Sequence, residues 1–260
     1  MSKDNIITEG SIVYIIIDSK RRFLVEVKKG GILGTDKGFI KHDEIIGKEF
    51  GSTIKTSLGY QAYLMRPLPQ DYLNGFKRVT QVIYPKDASL MVYLSGIGPG
   101  SHVVEAGVGT GFLTSYLARI VGENGRVYGY EIRKDFLEVA RENLSKAKLI
   151  DRVILKNKDI REGIDEKNVD AVFLDIPDPW NALEYVHNAL KPSCPVLIYV
   201  PTINQVDKVL DAIKKHDGFI DVNVYESLLR TYMTTPGALR PHTLMIGHTG
   251  YIVFARKRLL

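Results

Sequence analysis

Cysteine is almost missing from this chain. Cys194 stands alone among 260 residues, which excludes a disulfide framework and a cysteine metal cluster. Its place between a strand and a proline suits a core thiol. No apolar run approaches the ~18 residues a membrane span needs, so no membrane partner is expected. No apolar h-region follows Met1-Ser2-Lys3-Asp4-Asn5, and the cytoplasm is the expected compartment. The six histidines, at 42, 102, 187, 216, 242 and 248, have no metal-ligand spacing, and no metal is expected. His102 and His187 read as structural. Internal repeats and low-complexity tracts are absent as well. What remains is an ordinary globular composition, 45% hydrophobic and 25% charged.

The net charge of +5 is unevenly spread. Residues 1–80 hold 13 basic against 9 acidic residues, and the rest of the chain is close to balanced. A basic first third suits a polyanionic partner, although an excess this small is a weak signal.

The stretch His102 to Glu131 organises the chain. Val103-Val104 reads as a buried strand, Gly107, Gly109 and Gly111 form a turn, and Leu113, Leu117 and Ile120 recur at helical spacing. Val127 to Tyr130 then gives a second strand that ends on Glu131. This is a nucleotide-binding βαβ unit, with an acid placed to accept from two ribose hydroxyls. The spacing is Glu105-x-Gly-x-Gly-x-Gly, whereas a dinucleotide needs G-x-G-x-x-G to meet its pyrophosphate. An acid at the strand tip disfavours phosphate and tolerates a cation. A sulfonium ligand carrying an ammonium group fits better than a nicotinamide dinucleotide. The competing reading is a glycine turn that only lets helix and strand pack closely.

Residues 7–70 read as short strands between glycine turns: Ile12–Ile17, Arg22–Val27, Gly38–Ile40, Ile45–Ile46 and Tyr60–Met65. They predict a small β-barrel-like domain over 1–72, closed by Arg66-Pro67-Leu68-Pro69. Residues 73–260 alternate strands and helices, which predicts a doubly wound α/β domain with ligands at the carboxyl ends of its strands. Asp87 reads as the cap of a helix carrying Leu90, Met91 and Leu94. Asp159 follows the third strand, where a surface acid or helix cap is the alternative to a ligand contact. Asp175 ends the fourth strand in Leu174-Asp175-Ile176-Pro177-Asp178-Pro179-Trp180. The two prolines stiffen the loop behind it, Trp180 can cover that wall, and Asp178 before Pro179 suits a helix cap.

Motif I, Glu105 to Gly111, resembles that of the class I S-adenosylmethionine-dependent methyltransferases. Gln81 to Ala88, Asp175 to Trp180, and His248-Thr249-Gly250-Tyr251 with Ala255-Arg256-Lys257 extend the likeness. Together they resemble the tRNA (adenine-N1)-methyltransferases over nearly the whole chain. The resemblance implies a Rossmann-like fold, S-adenosyl-L-methionine as cofactor, tRNA as partner and a homotetramer. The expected product is N1-methyladenine at T-loop position 58, with position 57 as well in some archaeal members. It implies cofactor contacts from Gln81, Glu105, Gly107, Val108, Gly109, Thr110, Gly111, Leu113, Glu131, Asp159 and Asp175. Asp175 is the implied catalytic carboxylate and Tyr84 the implied aromatic wall for the target base, against an ordinary core tyrosine. Some archaeal relatives carry His at that place, which leaves the choice between 57 and 58 open. Trp180, Lys77, Arg78, Arg240 and His242 are candidates for RNA contact, against a solvated face for Lys77-Arg78 and a plain loop for Arg240-Pro241-His242. Two rivals stand beside this reading. One is a nucleotide-dependent dehydrogenase, disfavoured by the glycine spacing; the other is a non-catalytic tRNA-binding subunit, disfavoured by intact Glu131 and Asp175.

Overall fold

The computed structural model describes residues 5–79 and 81–259. Met1–Asp4, Thr80 and Leu260, which belong to the expected domains, lie outside the described residues. The chain forms two compact units that divide between Lys77 and Arg78. The division falls later than 72/73 because the segment after the proline break stays with the first unit. The 3-10 turns of Pro69–Asn74 pack on the strand Arg22–Glu26, and Asn74 donates to the Tyr14 hydroxyl at 2.9 Å. Gly75 lies so close to Leu24 that a Cβ there would meet its side chain at 2.6 Å.

The first unit is an antiparallel sheet of β1 (Ile12–Ile16), β2 (Arg22–Glu26), β5 (Thr53–Lys55) and β6 (Gln61–Met65) in the order β2-β1-β6-β5. A separate hairpin joins β3 (Ile32–Thr35) to β4 (Gly38–Lys41). Ile15 pairs with Leu64 and Ile54 with Ala62, and these side chains bury together with Ile7, Val13 and Ile40. Three details differ from the expectation. Gly34-Thr35, which the run Gly34-Thr35-Asp36-Lys37-Gly38 suggests as turn, is strand, because it pairs with Gly38-Phe39. Ile45-Ile46 is a turn after the 3-10 helix His42–Glu44, and its apolar pair serves the core from there. The sheet also remains open, since β2 and β5 do not pair among the described residues.

The second unit holds a seven-stranded sheet: β7 (His102–Ala106), β8 (Arg126–Tyr130), β9 (Val153–Lys156), β10 (Ala171–Leu174), β11 (Pro195–Val200), β12 (Phe219–Tyr225) and β13 (Tyr251–Lys257). Its order is β12-β13-β11-β10-β7-β8-β9, with β13 antiparallel to both neighbours and the first five strands parallel. Helices α1 (Pro85–Ser95), α2 (Phe112–Val121), α3 (Lys134–Lys146), α4 (Leu183–Ala189) and α5 (Ile203–His216) flank it. Helix α1 packs on α2, and α4 on α5. Every residue of β10 and β11 is buried, as in a parallel sheet covered on both faces. Burying each large apolar side chain there stabilises the fold by about 1.5–3 kcal/mol. The order reverses between β7 and β10, so a crevice opens at their carboxyl ends. Among the described residues no helix is long and apolar enough to cross a membrane.

Asp87 does not cap α1. Tyr84 is the N-cap residue, Pro85 starts the helix, and Asp87 is buried within the first turn. Asp178 precedes Pro179 as expected, but it makes no side-chain capping bond. Its carboxylate faces Arg161 instead.

Candidate active site

Two adjoining lobes form the crevice. The larger, 230 Å³, is lined among others by Gly107, Glu131, Ile132, Phe136, Asp159 and Asp175. The smaller, 30 Å³, is lined among others by Gln81, Glu105, Val108, Gly109, Thr110 and Leu113. Gly107 and Asp175 border both. Ten of the eleven expected cofactor residues therefore line one crevice; Gly111 does not. Gly111 shapes the turn from behind as the α2 N-cap, at φ 80°, where a Cβ would press on Ala140 at 3.2 Å.

Backbone pairing fixes this meeting. Glu105 lies between Phe173 of β10 and Gly129 of β8, and Ala106 pairs with Leu174. Beyond the last pair, the Gly107 amide donates to the Asp175 carbonyl at 3.1 Å. Glu131 turns inward over the glycine loop. Its Oε2 accepts from the Gly109 amide and its Oε1 from the Arg133 amide, both at 3.0 Å. A Cβ on Gly107 would lie 3.1 Å from the same Oε2, so the turn is a cradle that glycine keeps open.

Three carboxylates differ sharply in environment. Glu105 is only 1% exposed, and one of its oxygens has no hydrogen-bond partner. Burial pushes its pKa up to about 8, and the charges of Asp175 and Glu131 add to that. Burial thus favours the protonated form of this acid over the anion the motif suggests. Asp175 keeps surface open to the crevice, while protein packed behind its carboxyl desolvates it. That burial, helped by the charge of Glu131, pushes it up to about 6. Asp159 caps the turn Ile160–Glu162 and pairs with Arg161 at 2.6 Å, which holds it below the usual carboxylate range.

Several contributors were not legible as site residues. Arg161 bridges Asp159 to Asp178, donating to both Asp178 oxygens at 2.8 Å. Asn143, buried on α3, donates to the Thr110 carbonyl at 2.9 Å and steadies the glycine turn. Asn157 donates to the carbonyls of Glu131 and Ile132. Asn143 interrupts an apolar helix stripe, which is the one signal the sequence offered for it.

The remaining candidates are scattered. Tyr84 is 38% exposed at the start of α1, which removes the core alternative. Trp180 lines neither lobe; it packs against the core, with the Lys208 ammonium 5.0 Å from its ring centre. Arg240 and His242 line a separate open hollow of 460 Å³ with Thr231, Met233, Thr243 and Leu244. Lys77 and Arg78 are exposed outside the lobes. No histidine lines either lobe, and no group of three or more His, Cys, Asp or Glu among the described residues is arranged for a metal ion.

The crevice suits a cofactor with a sugar, a flat apolar base and a cationic end. Glu131 offers two acceptor oxygens, Ile132 and Phe136 an apolar wall, and Glu105 an unpartnered oxygen in the small lobe.

Comparison with known proteins points the same way. A family described as the tRNA methyltransferase complex GCD14 subunit matches residues 60–239, and one described as TrmI-like N-terminal matches residues 7–54. A Methanocaldococcus jannaschii protein named tRNA (adenine(57)-N(1)/adenine(58)-N(1))-methyltransferase TrmI is 37% identical, over 93% of this chain and 94% of its own. A Thermotoga maritima crystal structure, described as an S-adenosylmethionine-dependent O-methyltransferase, superposes with a TM-score of 0.91 at 39% identity, covering 99% of this chain and 96% of that one. The tRNA (m1A58) methyltransferase TrmI of Aquifex aeolicus superposes with a TM-score of 0.83 at 33% identity, covering 98% and 100%.

Proposed function

The chain belongs to the tRNA (adenine-N1)-methyltransferase family, and from that premise we propose how it methylates N1 of adenine in the T-loop of tRNA, at position 58. The cofactor is S-adenosylmethionine. The partner is tRNA, the working form a homotetramer, and the site of action the cytoplasm. The small β unit, which carries much of the basic excess, contributes to holding the RNA.

One observation carries the mechanism. Asp175, whose carboxylate meets no hydrogen-bond donor among the described residues, is tied by its backbone to the first glycine of the cofactor turn. When bound, S-adenosylmethionine supplies an electrophilic methyl group on sulfur. Glu131 would hold the ribose hydroxyls, accepting from them in place of the Gly109 and Arg133 amides. Asp159 would accept from the cofactor's adenine amino group, and Glu105 would face its cationic end. Adenine N1 would attack the methyl with its in-plane lone pair as the methyl–sulfur bond breaks, leaving a neutral thioether and a cationic 1-methyladenine, so no base is required, in keeping with lobes that contain no histidine. Asp175 accepts a hydrogen bond from the exocyclic amine of the target base. That bond strengthens as positive charge grows on the ring, which is the condition for lowering the barrier. N1 lies on the Watson–Crick edge, so the base must leave its stack, and the exposed ring of Tyr84 is the surface on which it rests.

The test is product mapping. Purified protein, S-adenosylmethionine and a tRNA transcript are incubated, the RNA is digested, and nucleosides are separated by mass spectrometry. The expected product is 1-methyladenosine, with reverse transcription stopping at position 58. A ribose methyl ether, or methyl on another base, would overturn this reading in favour of the O-methyl chemistry attached to the Thermotoga protein.

A further inference from the structure

Asp87 is wholly buried, yet it belongs to no part of the chemistry above. Both its oxygens are used. Oδ1 accepts from the Lys86 ammonium at 2.8 Å and the Ser227 hydroxyl at 2.6 Å, and Oδ2 accepts from the Thr249 hydroxyl at 2.7 Å. Lys86 donates in turn to the Ser227 carbonyl at 2.8 Å and to Thr249 Oγ1 at 2.7 Å. A buried ion pair left short of partners is strongly destabilising, so the two hydroxyls are part of what makes this one tolerable.

The sequence positions of those hydroxyls matter. Ser227 and Thr249 bracket the excursion 228–248 between β12 and β13. A second, outer pair lies just beside them: His248 bonds Glu226 at 2.7 Å and the Pro201 carbonyl at 2.8 Å. Within the excursion, the Met233 amide donates to Arg240 and the His242 amide to Thr231, so it is a small hairpin on a clamped base. Residues 228–248 contain no Asp or Glu. They do contain exposed Arg230 and Arg240 and the half-exposed ring of Tyr232. An acid-free arm with arginines and an exposed aromatic complements a nucleic-acid backbone and its unstacked bases.

The base of the arm is also tied to the reaction centre. Lys86 and Asp87 sit in the first turn of α1, just after Tyr84 and the small-lobe residues Gln81 to Ile83. The Tyr199 hydroxyl donates to the Thr249 carbonyl at 2.7 Å, and it lies within electrostatic reach of both Asp87 and Asp175.

We propose that Lys86 and Asp87 are positioning residues, and that their buried pair pins the 228–248 excursion to the Tyr84 helix as an RNA-binding arm of the active site. The proposal rests on tRNA as substrate. Arg240 and His242 then act as members of this arm, and Arg230 joins them.

Asp87→Ala would strand Lys86 and risks unfolding, so the test uses Ser227→Ala/Thr249→Val, which removes the two hydroxyls and keeps the ion pair. Thr249→Ser, which retains the hydroxyl, is the control. Loss of the four hydrogen bonds these hydroxyls make, two to Asp87 and two from Lys86, predicts about tenfold faster tryptic cleavage after Arg230, and about a tenfold rise in KM for tRNA that exceeds any fall in kcat. Cofactor affinity by calorimetry should stay within about twofold, and Thr249→Ser should behave as the parent. Unaltered cleavage would show that the pair does not hold the arm. Faster cleavage with unaltered KM would show that the arm does not meet RNA. Altered sedimentation with unaltered tRNA affinity would assign the arm to contact with a second copy. Each of these overturns the proposal. Should the parent protein fail to methylate adenine in tRNA, the functional reading fails, while the cleavage result still reports on the clamp.

Discussion

The Gly107 amide and the Asp175 carbonyl are joined by a hydrogen bond of 3.1 Å, across the point where the sheet order reverses. This bond gives the glycine turn and the carboxylate proposed as catalytic a common reference frame. A shift of either strand tip would move both, so in the proposed mechanism the spacing of methyl donor and acceptor would be set by backbone and not by flexible side chains. Reaction rates that depend on near-attack geometry benefit from such rigidity.

Asp175→Asn keeps the shape and an acceptor oxygen but removes the charge. Single-turnover methylation should fall on the order of 10²–10³-fold, with little change in KM for tRNA, because the contact strengthens only as charge develops. A wild-type single-turnover rate in this variant would rule the carboxylate out of the chemistry.

Glu131→Ala removes both the ribose acceptor and the bonds to Gly109 and Arg133 amides. Affinity for S-adenosylmethionine should weaken by about 1.5–3 kcal/mol, the typical worth of hydrogen bonds to a charged group. Calorimetry showing unchanged affinity would contradict the assignment of this acid to the cofactor.

Glu105, pushed up to about 8, binds a proton in the folded protein that it would release when unfolded near neutral pH. Its contribution to stability is therefore full below the ordinary glutamate range and declines as pH rises toward 8. Glu105→Gln should match the parent in Tm at pH 4.5 and exceed it by at least about 2 °C at pH 8.5. A cationic ligand favours the ionised form, so cofactor binding near pH 7 should expel a proton. Titrations in buffers of different ionisation enthalpy measure it, and an equal proton release from Glu105→Gln would exclude this acid as its source.

In the β unit, Lys55 stands exposed and Lys37 is half-buried, with its ammonium 4.4 Å from the Tyr60 ring centre. Changing both to Glu should weaken tRNA binding and lower the slope of log affinity against log salt by about two, while leaving cofactor binding intact. A slope that stays at the parental value would remove these lysines from the RNA footprint.

The βαβ unit was legible because its signals are local: an apolar pair, three glycines, a helical stripe and an acid, all within 30 residues of one another. The crevice followed from them. Unit 1 was harder, because Thr53-Ile54-Lys55 is a strand only by virtue of pairing with β6, and Gly34-Thr35 looks like turn until Gly38-Phe39 lies opposite. Asp87 resembles a cap in sequence, and its true partners are Ser227 and Thr249, far along the chain. Arg161 is an unremarkable cation until Asp159 and Asp178 flank it. Such residues are defined by long-range pairing, to which periodicity and propensity are blind.

The position of β13 also bears on how this protein comes into being. It lies between β11 and β12, so β12 has no neighbour in the sheet until the strand following it in the chain has arrived. The cofactor-side strands β9, β8, β7, β10 and β11 are all made earlier and pair without it. During synthesis the half of the sheet that bears the glycine turn has what it needs first, while an unpaired β12 with exposed Ile220, Val222 and Val224 waits for the edge to be sealed. The excursion between β12 and β13 is held at both roots only after that last insertion, so a nascent chain would acquire its crevice before that excursion is clamped.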